Sequence, residues 1–281
     1  MLRFMTLLLI AASPAAAFAA DPNDETTTGL REGIRLIQND AAYLDRVGRA
    51  ESWFEEGNAD RAITDCNEAI RLNPNDPLAY LVRSSVWTEK GESEKAIADC
   101  NEAIRLDPKD PDAYIARSGV CTAKGETDKA IADCSEAIRL DPKSDVAYLI
   151  RGLLRSSKQQ YDRAIADYSE VIRLNPSNPE GYDGVAWLRA ACPDSRYRGA
   201  SAAIKFATKA CERTLWKSSI ELDVLAAAYA ESGEFDKAIQ WGEKALNAAV
   251  ESEKEAIGGR LALYRRSKPY RKKFGIEEIL K

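Results

Sequence analysis

Apolar side chains recur every three or four residues along most of the chain, and the pattern restarts at a fixed interval. Four blocks of 34 residues align without gaps, at residues 43–76, 77–110, 111–144 and 145–178. Spacings of three and four place apolar residues on one face of a helix, whereas a half-buried strand would alternate. Each block therefore predicts two amphipathic helices.

The second block shows how its two helices are separated and packed. Gly91 interrupts the apolar pattern between the helices, and Pro108 ends the second one. Ala96 and Ala103 share a face of that second helix, and side chains this small let two helices approach closely. Each block is thus predicted to form a helical hairpin.

An aromatic residue early in the first helix, small residues on the second and a closing proline resemble the tetratricopeptide repeat. The C-terminal part is similar to a set of exported bacterial proteins of that family. The resemblance implies an all-α fold, a right-handed α-solenoid of stacked antiparallel helix pairs. It covers residues 43–178 as four regular repeats, and two looser units bring the count to about six. These are residues 179–218, with an inserted turn near Cys192, and residues 219–252.

Both ends of the array are predicted to be capped. Residues 20–42 contain a degenerate echo of a repeat, which predicts an N-terminal capping helix, and residues 253–281 comprise the end of a closing helix and a basic tail. From Arg265 onward the tail carries seven cations and two acids. We expect a solvated end; the alternative is docking to an acidic partner or a membrane surface.

An arginine and an aspartate recur together at fixed places of the repeat. An arginine occupies the seventh place of the four regular blocks and an aspartate the twenty-third, and both charges disappear together in the two looser units. Joint loss predicts contact between the two helices of a repeat; the alternative is separate solvated charges. The predicted structural ion pairs are Arg49 with Asp65, Arg83 with Asp99, Arg117 with Asp133, and Arg151 with Asp167.

The resemblance implies that the first helices line a concave surface that binds protein or peptide segments. Extrapolating the register predicts a weakly polar, partly apolar groove, suited to an extended peptide with apolar anchors. The alternative is that its leucines only contact neighbouring repeats. The predicted groove residues are Leu81, Ser85, Thr88, Ile115, Gly119, Thr122, Leu149, Leu153 and Ser156.

Residues 1–19 have the composition of a signal peptide. Arg3 precedes an apolar run. The small residues Ala17 and Ala19 lie on either side of Phe18, just before a cleavage site near Ala20. We therefore expect a periplasmic or secreted protein, with an uncleaved anchor as the alternative. No later segment approaches membrane-spanning length, so no integral membrane segment is expected after cleavage.

Two of the six cysteines stand apart from the repeat pattern. Cys192 lies in the inserted turn and Cys211 ends the following helix, so a disulfide between them is possible in an oxidising compartment. The other four occupy apolar helix positions and are predicted to be core residues. They are Cys66, Cys100, Cys121 and Cys134.

Composition excludes several kinds of chemistry. The chain has no histidine, which excludes histidine-dependent triads, dyads and metal sites, and it has no glycine-rich phosphate-binding sequence. A net charge of -5 makes general attraction to nucleic acid unexpected. We predict a noncatalytic protein-interaction scaffold without cofactor or metal. A structural or self-associating solenoid of the cell envelope is the alternative, and an enzyme a distant third.

Overall fold

The computed structural model describes residues 25–275, with side chains from residue 39 onward. This part of the chain forms 13 α-helices and one 3₁₀ helix, and contains no strand. The predicted signal peptide, residues 1–19, lies outside the described residues. The chain divides into two compact units at the junction of Pro108 and Lys109. Within each unit, helical hairpins stack in series, which is the α-solenoid fold class that the sequence predicts.

The first unit contains four described helices. They are α1 (Glu25–Glu55), α2 (Ala59–Leu72), α3 (Leu78–Glu89) and α4 (Ser93–Leu106). The predicted N-terminal capping helix is not a separate element, because α1 begins at Glu25, within residues 20–42, and runs without a break into the first repeat. Tyr43 and Val47 on α1 pack against Ala69 of α2 and Ala79 of α3, and this contact forms the core of the unit.

The second unit contains nine α-helices among its described residues. They are α5 (Pro111–Ala123), α6 (Thr127–Leu140), α7 (Asp145–Ser157), α8 (Tyr161–Leu174), α9 (Pro179–Ala191), α10 (Ala200–Arg213), α11 (Ser219–Glu231), α12 (Phe235–Ala248) and α13 (Glu251–Tyr264). The insertion after Cys192 contains the 3₁₀ helix Ser195–Tyr197. Helix α13 lies where the sequence predicts the closing helix, and it buries Ile257, Leu261 and Tyr264.

Helix α11 is the most enclosed element of the second unit. It packs against α9, α10, α12 and α13, and apolar residues surround it on most sides. A helix with this environment buries whatever polar residues it carries. Glu221 and Asp223 in its first turns are therefore withdrawn from solvent, although both are acids.

The turn inside every hairpin except the fifth, which carries the insertion after Cys192, contains a left-handed residue. Gly57, Gly91, Gly125 and Gly233 take this place, with φ between 74° and 83°. Glycine adopts that conformation without a steric penalty because it has no Cβ. The fourth hairpin places Gln159 there instead, with φ of 59°.

Gln159→Gly is expected to raise the free energy of unfolding by about 0.5–1 kcal/mol. Removing the side chain relieves left-handed strain, and that gain exceeds the added entropy of the unfolded chain. Urea denaturation measures the change. Gln160→Gly is the matched control, because Gln160 has φ of -85° and no such strain, and it should lower stability. Equal effects of the two substitutions would contradict the argument.

Candidate functional site

In the first unit, the predicted groove residues lie at or near the surface of α3. Leu81 and Thr88 are partly buried and Ser85 is exposed. The Ser85 hydroxyl donates to the Leu81 carbonyl, and the Thr88 hydroxyl donates to the Ser84 carbonyl. Both hydroxyl protons are thus used inside the helix, which leaves Leu81 as the main apolar contact that this surface offers.

In the second unit, two of the predicted groove residues are buried. Thr122 is 4% exposed and donates to the carbonyl of Ser118. Ser156 is 2% exposed and shares a hydrogen bond of 3.1 Å with the Tyr168 hydroxyl. Both side chains are therefore almost fully buried, whereas Thr88 at the same place of the second block is partly buried.

The remaining predicted residues of the second unit stay accessible. Ile115, Leu149 and Leu153 are partly buried, and Gly119 is exposed. Leu149 and Leu153 lie on α7 and form one wall of a cavity of about 500 Å³, with Ser156 at its edge. The structure thus brings three of the nine predicted groove residues to one concave site.

The chain's own tail forms one side of this cavity, through Lys272, Phe274 and Gly275. Beyond α13, the Tyr270 ring meets the Trp187 ring edge-on, with centroids 6.2 Å apart. The backbone N–H of Lys272 donates to the carbonyl of Ala191 at 2.9 Å. Phe274 packs on Tyr161 at 5.8 Å between centroids. The expected solvated end is therefore wrong for residues 268–275, which we call the docked tail.

Charges fix the docked tail from outside the cavity. Arg271 contacts the Glu231 carboxylate at 2.7 Å, and the same carboxylate also accepts from Arg198. Each aromatic contact contributes about 0.5–1.5 kcal/mol beyond the area it buries. Aromatic packing, a backbone hydrogen bond and an ion pair therefore act together to hold this segment in the groove.

Two buried carboxyl groups line the cavity opposite α7. Asp183 on α9 is 8% exposed and Glu221 on α11 is 5% exposed. Asp183 Oδ1 and Glu221 Oε2 are fully buried and receive no hydrogen bond from any donor in the described part of the chain. Burying ionised oxygens without a donor is costly. The two adjacent carboxyls can satisfy one another only by sharing a proton. We call them the carboxyl pair.

Continuing the repeat register into the looser units would have identified this wall. Asp183 occupies the fifth place of its repeat, which Leu81, Ile115 and Leu149 hold in the preceding ones. Trp187 likewise occupies the ninth place, four residues later. Glu221 carries no such signal, because its counterparts in the second to fifth repeats are small residues on the buried face. An acid replacing a leucine at a groove position was the available clue.

The carboxyl pair makes the folded protein sensitive to pH. Burial, and then the negative charge of Glu221, raise the pKa of Asp183 well above its ordinary value, with Glu180 adding to the rise and Lys272 opposing it. A raised folded-state pKa means that the folded chain holds this proton more tightly. Stability is then lost as the pH rises from the unfolded pKa, about 4, through the folded-state pKa.

Asp183→Asn is expected to raise the free energy of unfolding at pH 7 by on the order of 1 kcal/mol, because the amide donates a hydrogen bond to Glu221 and carries no charge. The difference from the unmodified protein should shrink as the pH falls below about 4, the unfolded-state pKa, where Asp183 becomes protonated in both states. Urea unfolding at the two pH values measures it. A variant that is less stable at pH 7 would contradict the argument.

The predicted ion-pair positions lie within salt-bridge distance of one another. Each pair joins the first helix of a hairpin to the second, and the aspartates are buried. The separations are 3.2 Å for Arg49 and Asp65, 2.6 Å for Arg83 and Asp99, 2.6 Å for Arg117 and Asp133, and 2.8 Å for Arg151 and Asp167. These contacts are structural, since each carboxylate is enclosed between helices.

All six cysteines are buried free thiols. Cys192 packs with Tyr161 and Tyr168, whereas Cys211 packs in a different cluster around Leu222. The disulfide that the sequence allowed is therefore not formed in this structure. Burial raises the pKa of Cys211 to about 12, so its thiol is a poor nucleophile at neutral pH.

Among the described residues, no group of three or more Cys, Asp and Glu side chains is placed to hold a metal ion. None of the described helices is both long and apolar enough to span a bilayer.

Comparison with protein families gives matches over the regular blocks. Residues 47–111 and 89–145 match one tetratricopeptide repeat model, and residues 146–178 match a second one. A comparison with curated protein sequences found no match. Residues 47–178 are therefore similar to tetratricopeptide repeats, and their helical hairpins agree with that similarity.

Solved structures share the fold at low identity. A tetratricopeptide repeat protein from Parabacteroides merdae is 20% identical, with a TM-score of 0.62 over 81% of this chain and 88% of that one. PilF of Pseudomonas aeruginosa is 16% identical, with a TM-score of 0.66 over 79% and 99% of the two chains. PilW, a type IV pilus biogenesis factor, is 16% identical, with a TM-score of 0.64 over 76% and 97%. Likeness at this identity shows the fold alone.

Proposed function

We propose that this tetratricopeptide-type chain is a noncatalytic scaffold that binds an extended protein or peptide segment along the first helices of its repeats. The observation that carries the proposal is the docked tail. It is an extended stretch of polypeptide held in the groove of the second unit by aromatic packing, one backbone hydrogen bond and an ion pair. A groove that holds one extended segment has the shape and contacts to hold another.

The chemistry of the groove favours binding over catalysis. Leu149, Leu153 and Trp187 give it an apolar surface, and the chain contains no histidine to act as a general base near neutral pH. A partner segment with apolar or aromatic anchors would bury these side chains further, at about 25 cal/mol per Å² of apolar surface. A partner must displace the docked tail, and the free energy of that displacement subtracts from the free energy of binding. Partners whose contacts with the groove are weaker than those of the tail therefore do not bind.

Site-specific photocrosslinking tests the proposal. A photoreactive amino acid at Leu153 is expected to give a crosslink to a heterologous protein in cells that express the full chain. The same amino acid at Ser169, which is exposed on α8, the second helix of that hairpin, is the matched control and should give none. Crosslinks at Leu153 that lead only to a second copy of this chain would overturn the proposal and favour self-association, and crosslinks only to the chain's own tail would contradict partner binding.

We further propose that the protein works outside the cytoplasm, as a periplasmic or secreted protein of a bacterium. The signal-like composition of residues 1–19 supports this location. Mass spectrometry of the protein recovered from cell fractions is expected to find an N-terminus near Ala20 in the extracytoplasmic fraction. Recovery of the chain with Met1 in the cytoplasm would contradict it.

A further inference from the structure

Each acid of the carboxyl pair buries one oxygen, Asp183 Oδ1 and Glu221 Oε2, that accepts no hydrogen bond within the described residues. Asp223, the neighbouring acid on α11, forms a salt bridge of 2.7 Å with Arg260. No described side chain donates a hydrogen bond to the buried oxygens of Asp183 and Glu221, although more than nine-tenths of each residue is buried and both line the cavity. An acid pair retained in this state is a site for a hydrogen-bond donor with positive charge.

Two cationic side chains, those of Lys272 and Arg260, lie near the ring of Trp187, which lines the cavity together with the carboxyl pair. Lys272 Nζ is 4.6 Å from the centroid of the Trp187 ring, and the Arg260 guanidinium is 5.8 Å from it. Aromatic faces attract cations, most strongly where water is excluded. Trp187 and the carboxyl pair therefore favour the same ligand charge from two sides of the cavity.

The shape of the site favours an ammonium group over a planar guanidinium or a metal ion. An ammonium is compact, carries three donors and sits on a flexible apolar stem that suits the apolar walls of Leu149 and Leu153. Two carboxyls are too few for a protein-held divalent cation, and no larger ligand group is present among the described residues.

We propose that the carboxyl pair, with Trp187, is a binding site for the ammonium group of a lysine side chain on a bound peptide segment. This proposal rests on the proposed function and specifies the chemistry of the partner. Lys272 is the basic side chain that the described residues supply to the cavity wall, and it marks the place that the partner's lysine takes. A segment that resembles the docked tail, with a lysine and an aromatic residue two places after it, is the expected ligand.

The test uses the full chain with its tail released. Tyr270→Ser, Arg271→Ser, Lys272→Ser and Phe274→Ser together remove the aromatic contacts, the ion pair to Glu231 and the cation on Trp187 without altering any helix. The probe is a blocked synthetic peptide with the sequence of residues 266–275. Two further peptides replace one lysine by norleucine, which keeps the stem and removes the ammonium. One is changed at the position of Lys272, and the control at that of Lys273, which is exposed. Titration calorimetry measures the affinities.

Norleucine at the position of Lys272 is expected to weaken binding at least tenfold, and norleucine at the position of Lys273 by less than threefold. Adding Asp183→Asn and Glu221→Gln to the released-tail variant should abolish the difference between the two norleucine peptides. Circular dichroism checks that each variant keeps its helices.

Two outcomes overturn the proposal. If all three peptides bind equally well, the groove takes peptides without an ammonium site, and the proposed function stands alone. If the preference for lysine persists after both acids are replaced, a group other than the carboxyl pair recognises the ammonium charge. Absence of binding by any peptide also overturns the lysine site, while crosslinking at Leu153 decides separately whether the groove takes partners.

Discussion

Asp167→Ala is expected to lower the free energy of unfolding by about 3–5 kcal/mol, the usual cost of removing one partner from a buried ion pair. Asp167 is 2% exposed and contacts two arginines, Arg151 and Arg155, each at 2.8 Å. Without the carboxylate, two guanidinium groups would face one another in a partly buried position with no counter-charge. Thermal and urea unfolding, followed by circular dichroism, measure the loss.

An exposed ion pair in the same unit provides the matched control. Lys158 lies 2.6 Å from Asp128, but the aspartate side chain is 81% exposed. Asp128→Ala should therefore change stability little, because solvent screens that contact and mobile side chains weaken it. Similar losses for the two substitutions would show that distance matters more than burial, and that the repeated arginine–aspartate contact is not a special feature of the fold.

The repeating part of the fold could be predicted because the chain contains several copies of it. The four regular hairpins present the same local pattern, so helix starts, turns and closing prolines are each observed several times. The four arginine–aspartate positions emerge from the same internal comparison, since the looser units lose both charges together. Comparison within one chain here supplies information that a single unrepeated domain would not contain.

Features that occur once could not be predicted in this way. Phe274 meets Tyr161 across more than a hundred residues, and no second copy of that contact exists among the repeats. The composition of the tail indicated solvation because lysine and arginine dominate it, yet three alternate residues, Tyr270, Lys272 and Phe274, contact the groove. Local charge patterns do not reveal which extended segment a distant groove accepts.

The place of Thr122 and Ser156 illustrates a different limit. Helical periodicity assigns a side chain to a face only to within a fraction of a turn, and these residues lie at the boundary between the groove and the hairpin interior. For Ser156, the deciding factor is Tyr168, whose hydroxyl is its hydrogen-bond partner. The fourth repeat alone places a tyrosine where the earlier ones have Cys66, Cys100 and Cys134.

Tyr168 fits this place because two glycines clear space for its ring. A Cβ at Gly152 on α7 would lie 2.8 Å from Tyr168 Cε1, and one at Gly184 on α9 would lie 2.6 Å from Cδ1 and Cε1. Tyr168 is buried and its hydroxyl is held by Ser156, so the ring has little room to move. The larger side chain and the two glycines therefore form one packing arrangement that spans three helices.

Gly184→Ala is expected to lower the free energy of unfolding by about 1–3 kcal/mol, because the added methyl group overpacks a filled interior. In a Tyr168→Cys background, which restores the residue of the earlier repeats, the ring is absent and the sign should reverse. Alanine then stabilises α9 by about 0.5–1 kcal/mol relative to glycine, through its higher helix propensity. Urea denaturation of the wild type, both single variants and the double variant gives the coupling free energy directly. If Gly184→Ala is equally destabilising with and without the tyrosine ring, its cost arises from the backbone of α9 and not from contact with Tyr168.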